Sequence, residues 1–147
     1  MGFTVGDALG IGTEFMTRDE VSMYYPDGLR DYSQIFMDAH RSFFGQGGYT
    51  NDTVFLCIVM DALRENDGLV PEDVARRICL FYRSQTPYDF PPQLRMVLSQ
   101  PDFLNSPEDV SKRIWEKAGS FMESNSVLGM SAVSGLFLHE ADKETEK

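Results

Sequence analysis

Four polar residues in a row, Thr50-Asn51-Asp52-Thr53, follow Gly47-Gly48-Tyr49 and stand at the start of an apolar helical pattern. All four carry side-chain oxygen, and hard divalent cations take oxygen ligands at this density. The glycines let the backbone turn sharply into the helix. The same residues also suit a plain N-terminal cap: Thr50 or Asn51 can cap, and Asp52 favours the helix dipole. A second set lies upstream in Gly6-Asp7-Ala8-Leu9-Gly10, followed by Glu14-Phe15. On a helix, residues seven apart face the same way, which would put Asp7 and Glu14 on one glycine-lined face. Carboxylates there can serve as general acid/base or as metal ligands. The plainer reading is that Asp7 caps a backbone group and Glu14 is solvated.

The elements that must position these groups read as helices. Residues 2–16 are small and apolar, with glycine at 2, 6, 10 and 12. Each glycine costs a helix about 1 kcal/mol relative to alanine, so close packing of another backbone is expected to hold this segment. Residues 17–49 read as a long irregular connection, and a loop of that length in a compact domain usually has a functional reason. Val54, Phe55, Ile58, Val59, Ala62 and Leu63 recur at steps of three and four, which predicts a buried helix over 51–65. Asn66-Asp67-Gly68 stops it. A second helix is expected from Pro71 to about Ser84, with Val74, Ile78, Phe81 and Tyr82 inward, and a short one over 93–99. Ser106-Pro107-Glu108-Asp109 predicts a further helix, with Ser106 as cap and Ile114, Trp115 and Phe121 in its apolar stripe. A last helix is expected over 127–138, then a charged tail over 140–147. Pro71-Glu72-Asp73-Val74 recurs as Pro107-Glu108-Asp109-Val110, which we read as one helix-start chemistry used twice. No segment alternates with period two, so the fold class is all-α.

The bulk numbers fit one globular domain: 147 residues, 42% hydrophobic and 24% charged. The domain is expected to span 1–139. With 13 basic and 23 acidic residues the net charge is −10. Such a surface repels phosphates and anionic lipid, so neither nucleic acid nor membrane is an expected partner. Cys57 and Cys79 sit in apolar helical runs with no metal-binding spacing, and are expected to be buried and reduced, as in a cytoplasmic protein. No basic, hydrophobic leader opens the chain and no apolar run reaches membrane-spanning length. His40 and His139 stand outside any readable motif and are expected at the surface.

Taken together, the two polar stretches resemble the ADP-ribosylglycohydrolase family, which includes the enzyme that reactivates ADP-ribosylated dinitrogenase reductase. The resemblance rests on Gly6-Asp7-Ala8-Leu9-Gly10…Glu14-Phe15, then Thr50-Asn51-Asp52-Thr53. A softer match runs from Ser124-Asn125-Ser126-Val127-Leu128-Gly129-Met130 to Gly135-Leu136. It covers nearly the whole chain and implies a compact orthogonal helical bundle, truncated to the N-terminal half of a fold about twice as long. It also implies a hydrolase that removes ADP-ribose from a modified side chain or a related ADP-ribosyl substrate. The cofactor implied is magnesium or manganese in a two-metal site whose second ligand group lies beyond this half. By resemblance, Glu14 and Asp52 are catalytic, Thr50, Asn51 and Asp52 hold metal, and Asn125, Ser126 and Gly129 approach the ADP-ribose. Asn51 replaces an aspartate of the family pattern, Ser126 a glycine, Met130 an arginine and Val133 a proline. Those changes support a second reading, an inactive relative acting as an ADP-ribose-binding or protein-interaction module. A half-fold also implies an exposed apolar face, to be covered by a homodimer partner or a second chain.

Overall fold

The computed structural model describes residues 1–84, 90–119, 131 and 135. Asn125, Ser126, Gly129, Phe121, His139 and the 140–147 tail lie outside the described residues, as does all of the 127–138 helix except Ser131 and Gly135. Seven α-helices and one short 3-10 helix make up the described structure, with no strand among the described residues. The fold is all-α. None of these helices is long and apolar enough to cross a membrane. Packing divides the chain into two compact units, Met1–Thr53 and Val54–Lys147.

In the first unit, α1 spans Gly2–Gly10, α2 Arg18–Tyr24 and α3 Ala39–Phe44, with the 3-10 helix at Tyr32–Gln34 between α2 and α3. The expected irregular connection therefore holds three short helices, which take up about half of it. Its helices are too short to show apolar periodicity, yet each carries a cap. The Thr17 hydroxyl accepts from the Glu20 N–H while the Thr17 N–H donates to the Glu20 carboxylate, a reciprocal box visible as Thr-x-x-Glu. Asp31 caps the 3-10 helix and Asp38 caps α3.

The glycines of α1 do not serve close packing. No described atom comes within 4 Å of where a Cβ would stand at Gly2, Gly6 or Gly10. Two later glycines are tight: at Gly12, in the turn after α1, a Cβ would run into the Leu29 and Ile35 side chains, and at Gly48, between α3 and the next helix, it would lie 2.0 Å from the Phe44 carbonyl oxygen. Ala8, Ile11, Tyr25 and Ile35 form the apolar interior of this unit. The Tyr25 hydroxyl ties it together: it donates to the Gly12 carbonyl and accepts from the Phe36 N–H, both at 3.0 Å.

Helix α4, Asn51–Asn66, begins at the end of the first unit and continues into the second, which adds α5 (Pro71–Ser84), α6 (Pro92–Leu98) and α7 (Pro107–Lys117). Phe55, Ile78, Cys79, Phe90, Val97, Leu98, Phe103, Val110 and Ile114 form its core, with α5 and α6 both packed on α7. Three expectations need correction here. Cys57 is exposed, because Phe55, Leu56, Val59, Ala62 and Leu63 take the buried side of α4. Trp115 is 46% exposed; Val110 and Ile114 define the inner face of α7, and the next residue is turned about 100° away. Ser106 makes no side-chain capping bond, so α7 starts on Pro107 and its acidic first turn alone.

Candidate functional site

The start of α4 is organised around Asp7. One carboxylate oxygen of Asp7 accepts from the Thr50 hydroxyl at 2.7 Å. The other accepts from the Thr53 hydroxyl at 2.6 Å and from the N–H groups of Thr50 and Thr53 at 3.0 and 3.3 Å. Asp7 thus caps α4 from α1, across 43 residues of sequence. Of the roles expected for it, the plainer one, a cap on backbone groups, is the one found, on a helix distant in sequence.

Thr50 serves both sides of this junction. Its hydroxyl donates to Asp7 and accepts from the Asp52 N–H at 3.1 Å. A hydroxyl has two lone pairs, so one remains for a further ligand. Thr53 is 3% exposed, and its hydroxyl is spent on Asp7. Asn51 is 7% exposed and its Nδ2 has no hydrogen-bond partner among the described residues, an uncommon state for a buried amide. The Asp52 carboxylate has no hydrogen-bond donor or cation beside it among the described residues. Burial, followed by the negative charges of Asp7 and Glu14, pushes its pKa above the ordinary 3.8. The helix dipole works in the opposite direction and does not reverse it.

Glu14 reaches this region by a route that helical periodicity did not predict. Helix α1 ends at Gly10, so Glu14 lies in the following turn and not on a helical face shared with Asp7. Arg41, only 5% exposed, holds that turn. Its Nε donates to the Gly12 carbonyl at 3.2 Å and its terminal nitrogen to the Glu14 carbonyl at 2.6 Å. The remaining terminal nitrogen pairs with Asp38. Phe15, next in the chain, adopts a left-handed backbone conformation (φ 59°) and is 84% exposed.

The Glu14 side chain meets His40, whose Nε2 lies 2.8 Å from Oε2. His40 therefore has a carboxylate partner and is about a third exposed, contrary to the expectation of an isolated surface histidine. No local signal marks this pair; 26 residues separate its members. Glu14 and His40 line a cavity of about 240 Å³ together with Phe15, Tyr24, Phe36 and Arg41, among others. Thr50, Asn51 and Asp52 do not line it. The charge coupling of Glu14 to Asp52 nevertheless brings the acids of both stretches into one electrostatic neighbourhood.

The family model for ADP-ribosylglycohydrolases matches residues 1–146. The chain belongs to the ADP-ribosylglycohydrolase family. No curated protein and no solved structure matches it. The family places the chain among hydrolases of the ADP-ribosyl type. For a metal ion the fit is partial. Among the described residues no group of three or more His, Cys, Asp or Glu side chains is arranged to hold one. The donor chemistry at the start of α4 is nevertheless oxygen-rich: a carboxylate at Asp52 with no counter-charge among the described residues, and a hydroxyl lone pair at Thr50. The unpartnered Asn51 Nδ2 is a hydrogen-bond donor and cannot itself ligate a cation.

Proposed function

We propose that this ADP-ribosylglycohydrolase-family chain hydrolyses the bond between ADP-ribose and a modified side chain, or a related ADP-ribosyl bond, with a divalent cation at the start of α4. The observation that carries the reading is Asp52, a carboxylate pushed toward protonation by burial and by two neighbouring acids, with no cation among the described residues to relieve it. Buried like charges without a partner are costly, and functional sites are where such arrangements concentrate.

Asp52, the Asn51 carbonyl and the Thr50 hydroxyl would hold magnesium or manganese. When bound, the ion would supply positive charge that orients ribose hydroxyls and polarises an oxygen. Asp7 contributes by holding Thr50 and Thr53 so that their oxygens keep one geometry. Glu14 acts as acid/base, or gates access to the reacting ribose. As base it takes a proton from water as the new oxygen–carbon bond forms at the ribose. The bond to the leaving side chain breaks, and the same proton can be returned to that group. Asn125, Ser126 and Gly129 are assigned to ADP-ribose contact by family resemblance alone.

A second reading has its own support. Asn51 in place of an aspartate removes one negative charge from the ligand set, and the described residues hold no complete cluster for a metal. A non-catalytic ADP-ribose-binding or protein-interaction module is consistent with both facts. The experiment that separates the two readings is release of ADP-ribose from an ADP-ribosylated protein with magnesium and with a chelator. Magnesium-dependent release supports the hydrolase. Binding of ADP-ribose without release supports the module.

A further inference from the structure

The side chain of Glu14 has one described partner, His40, and the helix that carries His40 also fixes the Glu14 main chain through Arg41. Two consecutive residues of α3 thus hold one residue of the turn after α1, one by its carboxylate and one by its carbonyl. His40 is itself held in place. Its ring packs edge-on to Phe15 and Phe44, with centroids at 5.2 and 5.5 Å. The charged groups around it are Glu14, the Asp38 carboxylate at the start of α3, and Arg41, which pairs with Asp38. A carboxylate only accepts hydrogen bonds, so pairing with one calls for the His40 form in which Nε2 is the donor.

We propose that His40 is a positioning residue for Glu14, fixing the direction of its carboxylate within the cavity they share. This rests on the hydrolase reading for its consequence, though not for the pairing itself. Without His40 the Glu14 main chain stays anchored by Arg41, while the carboxylate is free to rotate about its side-chain bonds. Small misplacements of an acid/base group lower turnover by up to about 100-fold without removing substrate binding.

The test uses the full chain and three variants, His40→Ala, His40→Gln and Glu14→Gln. Glutamine places an N–H donor near the position of Nε2. We expect His40→Ala to lower kcat by about 10- to 100-fold with KM changed little, and His40→Gln to recover most of that loss. Equal kcat in wild type and His40→Ala, or no recovery with glutamine in a folded variant, overturns the positioning role. The pairing is read separately by nitrogen NMR of the imidazoles, which is simple because the chain has two histidines. Glu14→Gln should shift the signals that His40→Gln removes; signals unmoved by Glu14→Gln overturn the pair. A wild-type chain that releases no ADP-ribose overturns the hydrolase reading, and the imidazole spectrum still decides the pairing.

Discussion

A single carboxylate, Asp7, accepts four hydrogen bonds from Thr50 and Thr53, so its removal strands two hydroxyls and two N–H groups at the start of α4. Hydrogen bonds to charged acceptors contribute roughly 1.5–3 kcal/mol each, and the four here are not independent. Asp7→Ala is expected to lose at least about 3 kcal/mol of stability by urea unfolding, with Asp7→Asn losing less. Asp52 has the opposite sign. Its pKa is raised in the folded chain, so the folded state binds the proton more tightly than the unfolded state. The stabilisation this gives is full below the ordinary 3.8 and is lost as pH rises through the raised value. Asp52→Asn should therefore melt at a higher temperature than wild type near neutral pH, with the difference shrinking toward pH 4; equal melting temperatures at pH 7 would contradict the charge assignment. The sequence showed which residues matter here, since Thr50, Asn51, Asp52, Asp7 and Glu14 were all legible as types. Their pairings were not. Asp7 with Thr53 and Glu14 with His40 are contacts over 46 and 26 residues, which local spacing does not encode.

Helix spans in the second unit were legible because α4, α5 and α7 are long enough to show an apolar stripe, and Pro71 and Pro107 mark the starts of α5 and α7. The first unit hid α2 and α3, whose seven and six residues give too few turns for periodicity. Only their caps betray them. Within the first unit the glycines differ in role. Gly6 lies within α1 with nothing near a would-be Cβ, so Gly6→Ala is expected to stabilise the chain by about 0.5–1 kcal/mol. Gly48 has the Phe44 carbonyl oxygen at 2.0 Å from that position, and backbone cannot step aside as a side chain does. Gly48→Ala should force α3 and the start of α4 apart, at a cost of about 1–3 kcal/mol in chemical denaturation. If both alanine variants behave alike, the close approach at Gly48 is not what shapes this loop.

The molecule as a whole exposes large apolar side chains in both units: Phe15, Met23 and Phe43 in the first, Met60, Leu80 and Met96 in the second. We expect the chain to self-associate or to bind a second chain through such surface. Light scattering should give a mass above that of one chain at micromolar concentration, and a monodisperse monomer would count against it. The family-wide character of the chain was legible from two short motifs, and the family match over residues 1–146 bears it out. Whether those motifs work as a site turns on Asp52. The most direct measurement is the initial rate of ADP-ribose release from an ADP-ribosylated protein, with and without magnesium, for wild type and Asp52→Ala. Wild type should release ADP-ribose at a rate that magnesium stimulates and that Asp52→Ala lowers by at least about 100-fold, in line with loss of a group that holds a catalytic metal. Magnesium-stimulated release of equal rate from both chains would contradict it.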